Sequence, residues 1–328
     1  MSAIRIGLIG HRGDPQLGRL EDELRRRGAS PGLIDLTDLP AHANFFWDAK
    51  GLRLESEPLH ELAAVYARTA LFPLPTFVPG RSPAEGDLLT FPVRETGSLL
   101  NALVAELARR LPLVNPPATL VYHQQKPFLY SVLQAAGVPV PEFAVGSDLA
   151  ALAHFVDLHA QQVVVKPLMG GEVFLADFAW LKEHAREVDR RPLLLQRRIV
   201  GRSRRGYVVG GRLVALAEMR HGPVIDWRND LQEIVAVTPG DAEARACLDA
   251  AAALGLLFAA IDLEEEPGPP ARPWVIDVNP APMFAGFEAR AGLDVAGPLA
   301  VLLLELAASG VPLLPGPPRD PPRPGADP

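Results

Sequence analysis

The sequence predicts a chain of mixed α/β and α+β class built from more than one packed unit. Three observations carry that expectation. Residues 4–10 form a short apolar run that ends on a glycine and leads into a helical pattern, the opening of an open α/β sheet. Farther on, Val163-Val164-Val165-Lys166 is a β-branched strand flanked by short helical patterns, as in a small α+β unit. At 328 residues the chain also exceeds what one core usually organises.

In chain order, a strand over 4–10 precedes a helix with Leu17, Leu20 and Leu24 at helical spacing, stopped by Gly28. Strands are predicted over 33–36 and 62–66, a helix over 98–110, and a strand at 113–115 before Pro116-Pro117. These residues, 1–115, make an N-terminal α/β domain. A second unit, 116–192, holds a helix over 124–136, a strand at 143–145, a helix over 148–159 and strands at 163–166 and 174–176. A third, 193–310, opens with a strand over 193–200. Its strands at 207–210 and 213–219 read as a hairpin through Gly210-Gly211. A helix over 242–254, strands at 258–263 and 274–278 and a helix over 295–308 complete it. Residues 311–328 are dominated by proline and glycine and predict a tail without regular structure.

Composition removes several function classes. A net charge of −7 and a pI near 5.7 repel nucleic acid, and no apolar run approaches a membrane span. The run at 4–10 lacks a basic leader and a small-residue cleavage site, so it reads as a strand. The single cysteine, Cys247, excludes an internal disulfide and a thiolate zinc site. A cytoplasmic setting is expected. Gly10-His11-Arg12-Gly13 follows the first strand, but the full dinucleotide fingerprint is missing.

The candidate chemistry lies after residue 115. Lys166 ends its strand ahead of Pro167 and Gly170-Gly171; it is either a strand-end lysine reaching solvent or a cation aimed at phosphate beside a glycine turn. Lys126 sits near a helix start, as an exposed cation or a second phosphate contact. Asp277 and Asn279 alternate onto one face of an apolar strand, and Asp262 follows another apolar run. Such groups in a strand need pairing or a metal, and oxygen ligands from two strands suit Mg²⁺. Arg205, Arg220 and Arg228 stand beside the hairpin and before the acidic strands, where arginine can clamp carboxylate or phosphate.

The order of these elements is more specific than any one of them. A helix-start lysine, a strand lysine with a glycine turn, a strand carrying Gln196, an arginine-bearing hairpin, then Asp and Asp-x-Asn strands resemble the ATP-grasp superfamily. Within it the chain looks most like the RimK-type and glutathione-synthetase-like ligases. The resemblance spans residues 115–308, and the first domain fits the accessory α/β domain that precedes the grasp in that family.

The resemblance implies an ATP-grasp fold and an ATP-dependent ligase that phosphorylates a carboxylate and joins it to an amine. Lys126 and Lys166 would contact the ATP phosphates, and Gly170 and Gly171 would belong to the loop closing over them. Gln196, Arg197, Arg198 and Ile199 would form the adenine hinge. Asp262, Asp277 and Asn279 would hold Mg²⁺, with Mn²⁺ as an alternative, and Arg220 and Arg228 would steady the transferred phosphoryl group. The family usually has glutamate where this chain has Asp277 and often aspartate at Ser203. Its glycine loop is usually richer, and Arg228-Asn229-Asp230 departs from its arginine, small residue, asparagine order. The implied product is an amino acid, such as glutamate, added to a small molecule or peptide. Crosslinking of a precursor peptide and an ATP-binding module without ligase activity are the alternatives. ATP, an acid and an amine are the expected partners, with a homo-oligomer as an option and neither nucleic acid nor membrane.

Overall fold

The computed structural model describes residues 3–35, 45–48, 51–54, 57–68, 83–168, 171–188 and 191–313. The described residues divide into two compact units. One holds those up to Leu120 with Ala281–Ala285 and 296–313; the other holds Val121–Pro280 and Gly286–Val295. The predicted tail from residue 314 onward lies outside the described residues.

The first unit opens with β1 (Arg5–Gly10), α1 (Pro15–Arg26) and β2 (Ser30–Asp35). Asp14 caps α1 by accepting the Gln16 backbone N–H at 2.8 Å, and Leu17, Leu20 and Leu24 bury the inner stripe. β3 (Phe45–Asp48), β4 (Gly51–Leu54) and β5 (Glu57–Pro58) form a small antiparallel sheet that the sequence pattern does not predict. β6 (Ala64–Ala67), α2 (Pro83–Arg110) and β7 (Leu113–Val114) follow. The parallel sheet runs β2-β1-β6-β7 over a core of Ile9, Ile34, Val65, Leu100, Leu103, Val104 and Leu107. Helix α2 starts at Pro83 rather than at Ser98, because Gly86, Pro92 and Gly97 hide its first turns from a propensity reading.

The second unit begins with α3 (Lys126–Ala135), β8 (Phe143–Gly146), α4 (Leu149–Leu158), β9 (Val163–Lys166), β10 (Phe174–Leu175), α5 (Phe178–Glu183), α6 (Ala185–Val188) and β11 (Leu193–Arg197). Its first sheet is antiparallel in the order β10-β9-β11-β8. Strand β11, expected to open the third unit, therefore belongs with the strands before it, and the connection to the next sheet falls after Arg197. Asp148 caps α4 through the Ala150 and Ala151 N–H groups.

The larger antiparallel sheet comprises β12 (Arg202–Val209), β13 (Arg212–His221), β14 (Leu231–Ala236), β15 (Phe258–Glu266) and β16 (Arg272–Asn279), with α7 (Asp241–Ala253) packed on one face. The order is β14-β13-β12-β15-β16. The predicted hairpin turns through Gly210 and Gly211, whose φ values of 55° and 74° glycine supplies without steric cost. Two short elements complete the chain: α8 (Ala285–Ala291) and α9 (Ala296–Ser309), the latter packing on α1 within the first unit.

Candidate active site

A cavity of about 620 Å³ opens in the second unit, lined from β9, from the stretch after β11, from the inner face of the larger sheet, and from the turn around Trp227. Alternation along β12 and β15 decides what faces it. Ser203 and Arg205 on β12, and Asp262 and Glu264 on β15, line the cavity, whereas Val208, Ile261 and Leu263 pack in the core under α7. Register then sets pairs side by side: Ser203 lies opposite Glu264, Arg205 opposite Asp262, and Asp262 opposite Asp277.

Lys126, the first residue of α3, is 4% exposed. A cation in a first helical turn opposes the helix dipole, and Asp277 compensates it, with Nζ 2.7 and 2.8 Å from the two carboxylate oxygens. Lys166 Nζ donates to the Ile276 carbonyl at 3.0 Å, and the Tyr130 hydroxyl donates to the same oxygen at 2.9 Å. Burial lowers the Lys166 ammonium pKa to about 8, with Lys126 adding to the effect and Asp277 opposing it. Burial pushes the Asp277 carboxyl up, but Lys126 and Lys166 outweigh that and hold it below its ordinary value.

Arg205 makes a two-pronged contact with Asp262, at 2.6 and 2.8 Å, and its guanidinium lies over the rings of Trp227 and Phe287 at 5.4 and 5.1 Å. Arg228 is anchored by Asp226 and reaches the Gly171 carbonyl at 2.6 Å, while Asn229 donates to Glu172 at 3.1 Å. The turn at 227–229 thereby holds the described end of the glycine loop. Gln196 is 1% exposed, and among the described residues its amide Nε2 meets no acceptor within hydrogen-bond geometry. Arg197 donates to Glu142 and stacks on Trp274, 4.6 Å from the ring centre.

The structure brings Lys126, Lys166, Gly171, Gln196, Arg197, Arg198, Ile199, Arg228, Asp262, Asp277 and Asn279 to this one cavity. Gly170 lies outside the described residues. Arg220 is not brought there. It shares a sheet face with Glu218 and Glu233, pairs with both, and is 54% exposed, because register opposite Arg204 turns that face away from the cavity. Arg205 occupies the inner face instead. The sequence reading assigned no role to Ser203, His221, Glu264 or Trp227, which also line the wall; their signal is strand parity, which requires the register to be known.

The donors fit the groups that the resemblance implies. Among the described residues no three His, Cys, Asp or Glu side chains form a metal cage by themselves. Two carboxylates and an amide on neighbouring strands match Mg²⁺, which takes few protein ligands and completes its shell with phosphate and water. The unsatisfied Gln196 amide offers a buried donor in the cavity wall.

No family model matches the chain. Over 111 residues it is 36% identical to a probable alpha-L-glutamate ligase 2 from Shewanella amazonensis, covering 32% of this chain and 35% of that protein. Over 100 residues it is 39% identical to a probable alpha-L-glutamate ligase from Sodalis glossinidius, covering 29% and 32%. The chain thus spans about a third of the length of these relatives. The solved ATP-grasp ligase PsnB, complexed with precursor peptide PsnA2 and AMPPNP, matches with a TM-score of 0.76 at 23% identity, covering 94% of this chain and 98% of that one. The macrocyclase MdnC from Microcystis aeruginosa MRC, bound with precursor peptide MdnA, matches with a TM-score of 0.75 at 16% identity, covering 92% and 99%. The chain therefore has the ATP-grasp fold. Its resemblance to the RimK-type ligases is borne out by the glutamate-ligase relatives and by a RimK-domain ATP-grasp protein from Sphaerobacter thermophilus, with a TM-score of 0.61 at 20% identity, covering 92% of this chain and 99% of that one.

Proposed function

We propose that this chain is an ATP-dependent carboxylate–amine ligase working through an acyl phosphate. The observation that carries the reading is the convergence of two ammonium groups and three oxygen donors on one cavity, although they come from residues 126, 166, 262, 277 and 279. Adenine would lie along Gln196 to Ile199, and Lys126 and Lys166 would face the phosphates. Asp262, Asp277 and Asn279 would hold Mg²⁺, or Mn²⁺ in its place, which when bound neutralises phosphate charge.

A carboxylate is a poor acyl donor because oxide leaves badly. Its oxygen attacks the γ-phosphorus, ADP departs, and the resulting acyl phosphate carries a good leaving group. An amine then adds to the carbonyl, phosphate is expelled, and the nitrogen loses a proton to give the amide. The protein supplies position and charge neutralisation. Arg205 and Arg228 would face the transferred phosphoryl group, and the loop that Arg228 meets at the Gly171 carbonyl would keep water from the acyl phosphate.

The donor best supported by the glutamate-ligase relatives is an amino acid such as glutamate. A precursor peptide as substrate is favoured by a separate observation, the likeness over more than nine-tenths of the chain to PsnB and MdnC, each solved with its precursor peptide. A cytoplasmic setting fits the single cysteine, buried and unpaired. Among the described residues no helix is long and apolar enough to cross a membrane. The test is ADP release against pooled amino acids, carboxylic acids and peptides, with mass spectrometry of the products. Acceptor-dependent ADP release with a product heavier by the joined partner supports the ligase; ADP and ATP binding without turnover supports a binding module.

A further inference from the structure

Arg205 reaches the cavity from β12 with a side chain 12% exposed, and its charge is met by Asp262, both of whose oxygens it engages. On its other flank, the residues in register across β13 and β14 are Ala217 and Ala236, which offer neither charge nor reach. Two rings meet the guanidinium instead. Trp227 belongs to a single 3₁₀ turn (Trp227–Asn229), which the buried Asp226 fixes by accepting the Arg228 N–H at 3.1 Å. Phe287 comes from α8 and is 7% exposed. The guanidinium carbon lies 5.4 Å from the first ring centre and 5.1 Å from the second. The rings stand 85° apart with centres separated by 6.4 Å, so they make a corner and Arg205 sits in it. The Tyr207 side chain also interacts with Arg205, and its ring packs edge-on against Phe287 at 5.8 Å.

In the ligase reading Asp262 has a second claim on it. It would also hold Mg²⁺, and a carboxylate drawn to a metal holds a two-pronged arginine less firmly. Arg205 then stands in a largely buried wall with less of its counter-charge, before the phosphoryl group has been transferred. A guanidinium so placed swings away unless another surface keeps it. The negative faces of aromatic rings hold a cation without neutralising it, and the cation stays able to meet phosphate. A second carboxylate in that place would repel the phosphate; a ring does not.

We propose that Trp227 and Phe287 are positioning residues for Arg205: the corner between their rings keeps its guanidinium at the cavity wall when Asp262 turns to the metal. The inference rests on the ligase reading and adds how one cation serves both a metal ligand and the transferred phosphoryl group. It also gives a reason for a tryptophan directly before Arg228. One short turn sets a ring beside Arg205 and a second guanidinium at the Gly171 carbonyl.

The test is calorimetry on the full chain with Mg²⁺, comparing ADP with the ATP analogue AMPPNP, which adds the terminal phosphoryl group that Arg205 would face. The quantity read is the ratio of AMPPNP to ADP affinity, which cancels changes common to both nucleotides. Trp227→Leu lowers that ratio about fivefold and Phe287→Leu about threefold, while Trp227→Phe, which keeps a ring face, stays within about twofold of wild type. Arg205→Met lowers it about tenfold, and adding Trp227→Leu to Arg205→Met lowers it no further, as a residue acting through another requires. ADP affinity stays within about twofold in the Trp227 and Phe287 variants, which also reports that they are folded. The proposal is overturned, with the nucleotide site left standing, by an unchanged ratio in Trp227→Leu and Phe287→Leu or by equal losses for both nucleotides. A Trp227→Phe ratio as low as that of Trp227→Leu, or a further loss in the Arg205→Met background, overturns it as well. Wild-type protein that binds no ADP overturns the ligase reading and this inference together.

Discussion

The two faces of the larger sheet carry the same residue types and put them to different uses. Arg204 and Arg205 are neighbours on β12, yet the pleat sends them to opposite sides. Arg204 goes toward α7, where it pairs with Glu243, Glu218 and Glu265 and is 7% exposed. Arg205 faces the cavity, pairs with Asp262 and lies over Trp227. One arginine ties strands to a helix; the other stands where substrate charge would come. The lesson is that a charged residue on this sheet takes its role from its face, and the face is a matter of register.

Variants can break or sharpen that contrast. Arg204→Met leaves the buried Glu243 without its cation, while Glu218 keeps Arg220 and Glu265 keeps Arg202, and should cost about 3 kcal/mol. Its denaturation midpoint falls in urea, while the folded fraction binds ADP as the wild type does; a loss of ADP affinity without a stability loss would reverse the two faces. Gly206→Ala probes the α7 side more gently. A new Cβ would sit 2.6 Å from the Cys247 sulfur, so overpacking should cost about 1–3 kcal/mol, read from the same midpoint.

On the cavity face, Lys166 predicts a pH effect of definite sign. Its ammonium pKa is lowered to about 8, so the charge it would turn toward the phosphates is lost as pH rises through that value. Metal-free ADP affinity should fall above about pH 8, by no more in total than the about tenfold that removing the charge costs, and Lys166→Met should flatten that fall. Stability moves the other way. The unfolded chain holds this proton up to its ordinary pKa of about 10.4, so the penalty of a buried ammonium is full below about pH 8 and is relieved between the two values. The smallest effect belongs to Arg220→Ala. Its side chain is 54% exposed and pairs on the outer face, so the urea midpoint should stay where it is and ADP affinity should change by less than about twofold.

The same contrast explains what could be read from the chain alone. That Lys166, Asp277 and Asn279 share one cavity was legible, because a polar residue inside an apolar strand needs a reason and order along the chain supplied one. Arg220 was not, since choosing between it and Arg205 requires knowing that β13 sets Glu218 opposite Arg204. Glu264 was hidden in Glu264-Glu265-Glu266, which looks like a polar strand end although β15 runs on to Glu266. Strand β11 follows Pro192 and resembles a fresh start; only its pairing with β8 and β9 assigns it to the smaller sheet. Short elements such as β3, β4, β5 and α8 carry too few residues for a periodic signal.

The account stands on cations from α3 and β9 and oxygen donors from β15 and β16 serving one nucleotide. The direct measurement is ADP affinity with and without Mg²⁺ for wild type, Lys166→Met and Asp277→Asn. Lys166→Met should weaken binding in both conditions by about tenfold, the loss of a charge-assisted contact. Asp277→Asn should abolish the gain that Mg²⁺ confers while strengthening metal-free binding, because Lys126 is released from its partner. An undiminished Mg²⁺ gain in Asp277→Asn would place the metal elsewhere and contradict the account.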